Sequence, residues 1–175
     1  MTTAREISLR PAGPGDAEVL YRIYASTREE ELAVVPWDAP TKEAFLRMQF
    51  TAQDTYYHAN FPQASYDLVM DGEQVLGRLY LDRGERAWNV IDIALLPEHR
   101  GKGIGSRLMA EVLAAAGAAA KPVEIHVERF NRARRLYDRL GFRQIADRGV
   151  YLLLQWRPGV GESAARADGY PNTAS

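Results

Sequence analysis

The sequence predicts a mixed α/β fold with about seven strands and about four helices, and three stretches carry this prediction. The apolar residues 91–96 are followed by a glycine-rich turn and then by apolar residues at helical spacing, so a strand leads directly into a helix. Residues 66–96 contain three short strands separated by turns, which indicates an antiparallel meander. A strand, a helix and a second strand follow one another across residues 88–127, which predicts a parallel pair.

The first part of the chain alternates between short strands and helices. Residues 7–9 alternate apolar and polar side chains, as a strand does. Asp16 is a suitable N-cap for a first helix, and Thr41 is a suitable N-cap for a second one. Between these helices, residues 36–40 contain two prolines and are predicted to form a loop.

The middle of the chain is predicted to form a hairpin, a strand and the helix after the glycines. The hairpin strands are residues 66–70 and 74–81, joined by a turn at Asp71-Gly72-Glu73. The third strand runs over residues 88–96, and the helix extends from about Gly103 to about Ala115.

The last part of the chain repeats a strand, a helix and two strands. Residues 123–127 alternate, so one face of that strand is polar. Asn131 can cap the next helix, and Gly141 is typical of the position just after a helix end. Strands are predicted at 142–145 and 150–156. We therefore expect a single domain over residues 1–157 and a flexible tail over 158–175.

Composition excludes several classes of function. The chain has 175 residues, a net charge of -1 and no cysteine, so disulfides, thiolate metal sites and a cysteine nucleophile are excluded. The near-neutral charge predicts neither a nucleic-acid nor a membrane partner. The three histidines show no metal-ligand spacing, so no metal is expected. The amino terminus has no apolar signal region, and a cytoplasmic location is the expectation.

The glycine-rich turn, residues 100–105, is predicted to bind an anion. The first amides of a helix lack partners within the helix, and its start carries a partial positive charge. Gly101, Gly103 and Gly105 have no Cβ atom to hold a phosphate or diphosphate away from these amides. Arg100 and Lys102 add positive charge. The spacing fits neither a Walker loop nor a dinucleotide-binding loop.

Two motifs resemble those of the GNAT superfamily of N-acetyltransferases. Arg100-x-x-Gly103-x-Gly105, preceded by Leu95-Leu96-Pro97, resembles the loop with which that family binds acetyl-coenzyme A. Residues 131–142 are similar to a second family signature, N-x-x-A-x-x-L-Y-x-x-L-G-F, except that Asn131 stands two residues before Ala133 rather than three. The resemblance extends over roughly residues 7–156.

The resemblance implies an enzyme that transfers an acetyl group from acetyl-CoA to a primary amine by direct attack in a ternary complex. The acceptor is left open between a small molecule and a peptide amine, and a homodimer is left open as well. Trp37, Asp38, Tyr56 and Tyr57 are candidate acceptor contacts, and a role in the core is the alternative for each aromatic ring. The implied coenzyme contacts are Ile93, Leu95, Arg100, Gly101, Lys102, Gly103, Ile104, Gly105, Ser106 and Asn131.

The resemblance also implies the catalytic groups. Tyr137 occupies the position of the family's general acid, and a backbone amide near Leu95 is expected to polarise the acetyl carbonyl. One family base position is taken by Asn89, which cannot accept a proton. His126 occupies another, with Asp92, Glu124 and Glu128 as rivals and a structural role as the alternative.

Two other functions stay open at this point. The chain could bind an acyl-CoA as a sensor or regulatory module without turnover, for which the missing carboxylate at Asn89 is the argument. It could also be an N-acyltransferase that uses a longer acyl-CoA.

Overall fold

A computed structural model describes residues 6–159, which contain seven strands and five α-helices. The strands are β1 Ile7–Pro11, β2 Ser65–Asp71, β3 Gln74–Arg83, β4 Trp88–Leu95, β5 Val123–Glu128, β6 Arg143–Arg148 and β7 Tyr151–Trp156. The helices are α1 Ala17–Ser26, α2 Glu29–Ala33, α3 Ala39–Asn60, α4 Ile104–Ala118 and α5 Arg134–Leu140, with short 3-10 turns at Pro14–Asp16 and Pro97–His99. The mixed α/β class is confirmed, with one helix more than expected because Glu29–Ala33 forms a separate turn and a half.

The described chain divides into two compact units. The first comprises residues 6–83 and 90–107, and the second comprises residues 84–89 and 108–159. Residues 160–175, most of the expected flexible tail, lie outside the described residues. In the described part of the chain, no helix combines the length and the apolarity needed to cross a bilayer.

The first unit holds its strands in the order β1-β2-β3-β4. β1 pairs antiparallel with β2, and β2 pairs antiparallel with β3 across the expected hairpin, whose Gly72 has φ +58°. A cluster of buried side chains lies between these strands and α1. Its members are Leu20, Ile23, Leu68, Met70, Tyr80 and Leu96. Full burial of such a side chain is worth about 1.5–3 kcal/mol, so this cluster holds α1 against the sheet.

The structure differs in detail from both helix caps that the sequence predicts for the first unit. Asp16 does precede α1, but its carboxylate binds the Arg10 guanidinium at 2.9 Å and the Gly13 amide at 2.7 Å instead of capping the helix. The prediction that Thr41 caps the second helix is wrong. α3 begins at Ala39, and Asp38 is its N-cap, since an Asp38 oxygen accepts from the Thr41 amide at 2.8 Å. Asp38 therefore belongs to the helix start and not to a loop.

The second unit holds its strands in the order β5-β7-β6, with both pairs antiparallel. Val123, Ile125 and Val127 are buried, so the alternation predicted for β5 is confirmed. The prediction that Asn131 caps the following helix is wrong, because α5 begins at Arg134 and the Asn131 side chain accepts from the Ala133 amide at 2.8 Å in the preceding turn. Gly141 ends the helix with φ +94°, as expected.

Candidate functional site

The turn between β4 and α4 is the glycine loop of residues 100–105. Gly101 has φ +70° and Gly103 has φ +79°, a left-handed conformation that a residue with a Cβ adopts only at a cost of about 1–2 kcal/mol. A Cβ built at Gly101, Gly103 or Gly105 would meet no atom within 4 Å. The backbone therefore favours glycine at two positions, and the space where a side chain would stand is empty at all three.

The start of α4 presents its first amides next to this open space. The Arg107 amide donates to the Gly103 carbonyl at 3.1 Å, which is the first bond of the helix. The amides of residues 104–106 come before it and have no i−4 partner within the helix. Ile104 is 5% exposed and anchors this turn, while Ser106 is half-buried. The arrangement suits an anion whose oxygens accept from backbone amides.

Arg100 braces the loop from within the chain. Its Nε donates to the Leu95 carbonyl at 2.9 Å, and its Nη2 donates to the Ser26 hydroxyl at 3.2 Å. Ser26 is the last residue of α1, where a cation is favoured by the helix dipole. The guanidinium thus ties the loop to the end of β4 and to α1, and Lys102 is the exposed cation beside it.

The end of β4 is held closely against β3. Ile93 and Leu95 are half-buried, and the Leu96 amide donates to the Leu76 carbonyl at 2.9 Å. A Cβ at Gly77 would lie 2.1 Å from the Ala94 carbonyl oxygen. The backbone of β3 therefore approaches β4 at the level of the predicted coenzyme contacts, at a distance that excludes any side chain.

A buried ion pair, which includes one of the rival bases, links β3 to β4. Arg78 is 2% exposed, and its guanidinium binds the Asp92 carboxylate, donates to the Gln53 side-chain oxygen at 3.0 Å and lies 4.8 Å from the centre of the Tyr80 ring. Burial is the largest single influence and lowers the pKa of Arg78, but Asp92, Tyr80 and Tyr57 together outweigh it, and the pKa ends above its ordinary value. Asp92 is therefore engaged by a cation. Arg78 was not singled out from the sequence, although a charged residue within an apolar strand is a signal for such a pair.

The candidate acceptor contacts occupy different environments on or before α3. Trp37 packs edge-on against Phe45 at 5.4 Å, and Tyr57 packs edge-on against Tyr80 at 6.1 Å. Tyr56 is 58% exposed. Tyr57 therefore fits a role in the core, while Tyr56 presents its ring to solvent.

In the second unit, Tyr137 lies on the inner face of α5. It is 4% exposed, and its ring packs edge-on against Phe142 at 5.7 Å. The Phe142 amide donates to the Tyr137 carbonyl at 3.0 Å as the helix closes at Gly141. The Tyr137 ring is therefore buried beside the turn that the second motif encodes.

His126 lies on the polar face of β5, between two glutamates of the same face. Glu124 accepts a bond from the Gln155 side chain at 2.9 Å, so it is already engaged. Burial lowers the pKa of His126, and the positive charge of Arg148 lowers it further, although Glu124 acts in the opposite direction. The imidazole is therefore mostly neutral at pH 7 and able to accept a proton.

Comparisons with known proteins agree with this geometry. Residues 64–144 match the family model for the acetyltransferase (GNAT) domain, a stretch that includes β2, β3, β4, the glycine loop and α5. Both sequence motifs lie inside this stretch, whereas β1, the first three α-helices, most of β6 and all of β7 lie outside it.

Solved structures share the fold. The PaiA N-acetyltransferase of Thermoplasma acidophilum, crystallised with coenzyme A, superposes with a TM-score of 0.66 at 16% identity, over 87% of this chain and 99% of that one. An acetyltransferase of Thermus thermophilus superposes with a TM-score of 0.63 at 23% identity, over 86% and 96%. The ribosomal-protein-S5-alanine acetyltransferase of Vibrio fischeri superposes with a TM-score of 0.57 at 17% identity, over 90% and 96%. At these identities the likeness shows the fold.

Proposed function

We propose that this chain is a GNAT acetyltransferase, because residues 64–144 match that family's domain and the fold is shared with solved acetyltransferases, and that it transfers an acetyl group from acetyl-CoA to a primary amine. The acceptor is an amine of a small molecule or a peptide. Members of the family use acetyl-CoA as their co-substrate. The proposal includes a cytoplasmic location and leaves a homodimer open.

The observation that carries the proposal is the open glycine loop before α4. Gly101 and Gly103 hold conformations that suit glycine, and a Cβ at Gly101, Gly103 or Gly105 would meet no atom within 4 Å. The amides of this loop and of the first turn of α4 are the groups that would hold the diphosphate of acetyl-CoA. The coenzyme contacts expected from the resemblance stay part of the proposal, with Arg100 acting chiefly by bracing the loop.

The chemistry assigned to the chain needs a base and an acid. His126 takes the proton that the ammonium of the acceptor must lose before its nitrogen attacks the acetyl carbonyl. The new C–N bond forms as the C–S bond breaks, and Tyr137 gives a proton to the departing thiolate. Neutral His126 and neutral Tyr137 at pH 7 are the protonation states that these roles require.

The direct experiment measures release of free coenzyme A thiol while acetyl-CoA is mixed with a panel of amines, diamines, amino acids and peptide amino termini. We expect release with at least one amine. Tyr137→Phe is expected to lower kcat by a factor of about 10²–10⁴ with unchanged affinity for acetyl-CoA, since only the proton donor is removed. Tyr151→Phe, which removes the same atom from an exposed ring, serves as the matched control.

Other outcomes of this assay would favour a different function or a different catalytic residue. Tight binding of acetyl-CoA with no thiol release from any amine would favour a sensor of acyl-CoA. Release only with longer acyl chains would favour a different N-acyltransferase. Full turnover in Tyr137→Phe would remove Tyr137 from the mechanism.

A further inference from the structure

A cavity in the first unit, separate from the residues assigned above to coenzyme and catalysis, has the features of a ligand site. Its volume is about 320 Å3, at the lower end of the range of about 300–1,000 Å3 that small-molecule pockets occupy. It lies between the turn that precedes α1, the helices α1 and α3, and the strands β2 and β3. The small residues Gly13 and Ala17 form one side, and larger rings form the other.

The aromatic side of the cavity is held rigidly. The Tyr66 hydroxyl lies 2.8 Å from the Phe61 carbonyl and 2.9 Å from the Tyr57 carbonyl, so its proton is engaged outside the cavity. His58 stacks on the Tyr66 ring at 4.0 Å, and Tyr80 meets that ring edge-on at 4.8 Å. These walls have a fixed shape, so a ligand does not have to order them.

Asp54 is the one acidic side chain among the residues that the structure describes around the cavity. Asp54 stands one helical turn before His58 on α3, with 3.5 Å between its Oδ1 and the His58 Nε2. Among the described residues that line the cavity there is neither a lysine nor an arginine. The lining therefore offers a cationic ligand one partner of opposite charge.

We propose that this cavity binds a small monocationic amine with an aromatic body. Its ammonium pairs with Asp54 at the rim, and its apolar body lies between Phe50, Tyr80 and the small residues of the opposite wall. The volume has room for about ten non-hydrogen atoms. An amino acid fits less well, because its carboxylate finds no cation in the lining. The proposal concerns binding, and it holds whether or not this amine is the acceptor of the acetyl group.

The test is calorimetry on the full chain near neutral pH with 2-phenylethylamine as the probe. 2-Phenylethanol has the same body without the charge, and phenylalanine adds a carboxylate. We expect the amine to bind at least tenfold more tightly than either compound. Asp54→Asn, which keeps the hydrogen-bonding shape beside His58, should lose about tenfold in affinity for the amine and bind the alcohol as before.

Two further variants test whether the amine binds in this cavity and not elsewhere on the protein. Ala17→Leu places a larger side chain in the cavity and should abolish binding of the amine. Glu73→Gln removes one carboxylate from the exposed β2–β3 turn and should leave its affinity unchanged. Thermal melting of each variant shows whether it is folded. Equal affinity for amine and alcohol, unchanged affinity in Asp54→Asn, or no detectable heat at millimolar amine would each overturn the proposal, while thiol release from other amines would be unaffected.

Discussion

At the scale of single residues, substitutions at Gly103 and Gly105 distinguish the effect of backbone strain from the effect of a blocked ligand site. Gly103 has φ +79°, whereas Gly105 lies within the first turn of α4, and a Cβ at either position would meet no atom within 4 Å. A branched side chain at either position would therefore affect a ligand in this space more than its neighbours in the protein. Only the one at Gly103 would also strain the chain.

We predict that Gly105→Val weakens binding of acetyl-CoA at least tenfold, because its branched side chain occupies the open space, while changing the stability of the free protein by no more than about 0.5 kcal/mol, since glycine and valine differ little in helix propensity. Gly103→Ala should weaken binding too, but it should lower stability by about 1–2 kcal/mol because of its left-handed backbone. Calorimetry and thermal melting measure the two effects. Gly15→Ala, where a Cβ also meets nothing, should change neither affinity nor the fold. Unchanged affinity in Gly105→Val would contradict the assignment of the loop.

The environment of His126 makes a prediction about pH. Because its pKa is lowered, the neutral imidazole persists below the ordinary value of about 6.5, and the rising limb of kcat should have its midpoint below that value. Removing a nearby cation stabilises the protonated imidazole, so Arg148→Gln should move the midpoint to higher pH. Glu124→Gln should move it to lower pH, since Glu124 favours the protonated form.

The pH profile of kcat for the three proteins measures this shift. His126→Ala should lose turnover by a factor of about 10²–10⁴ with nearly unchanged affinity for acetyl-CoA. Wild-type turnover in His126→Ala, or a midpoint that does not move in Arg148→Gln, would show that another group is the base.

Single residues also show where a local sequence pattern does not suffice to predict the structure. Asp38 and Thr41 are both suitable helix caps, and the sequence alone favoured Thr41. The structure uses Asp38, because a helix that begins at Ala39 places Pro40 in the first turn, where its missing N–H costs nothing. Arg78 was missed because its partner Asp92 is 14 residues away on another strand.

At the scale of secondary-structure elements, the contact between β3 and β4 leaves no space for a side chain at Gly77. The backbone of β4 lies where a Gly77 side chain would be, with the Ala94 carbonyl 2.1 Å from the Cβ position. A backbone atom cannot move away as a flexible side chain can, so the strands would have to separate. This pairing also holds the Arg78–Asp92 ion pair, and both features keep the end of β4 in place before the glycine loop.

We predict that Gly77→Ala destabilises the protein by about 1–3 kcal/mol, the usual range for overpacking. Gly117→Ala is the matched control, because its Cβ would be 3.5 Å from Trp156, an ordinary contact, within a helix where alanine is favoured. Urea denaturation of both variants measures the difference. A Gly77→Ala protein as stable as the wild type would mean that the two strands are farther apart than described.

For the molecule as a whole, the proposed function implies that acetyl-CoA stabilises the folded chain. A ligand that binds only the native state at a hundred times its Kd adds about 2.7 kcal/mol. For a chain of this size that corresponds to a rise in Tm of about 5–10 °C. Calorimetric melting at increasing acetyl-CoA should show Tm rising with the logarithm of its concentration, and Gly105→Val should require more ligand for the same rise. A Tm that is independent of acetyl-CoA would contradict coenzyme binding as such.

The sequence by itself determined the mixed α/β class, the β4–loop–α4 order, the β2–β3 hairpin and the end of α5 at Gly141, because glycine conformation and apolar periodicity act over a few neighbouring residues. Only the tertiary structure decided that Arg100 braces the loop, that Arg78 is buried on Asp92, that Gly77 permits close strand contact and that rings from α3, β2 and β3 enclose a cavity beside Asp54. These features depend on segments distant in sequence that burial of apolar surface brings together, and no local pattern encodes which of them meet.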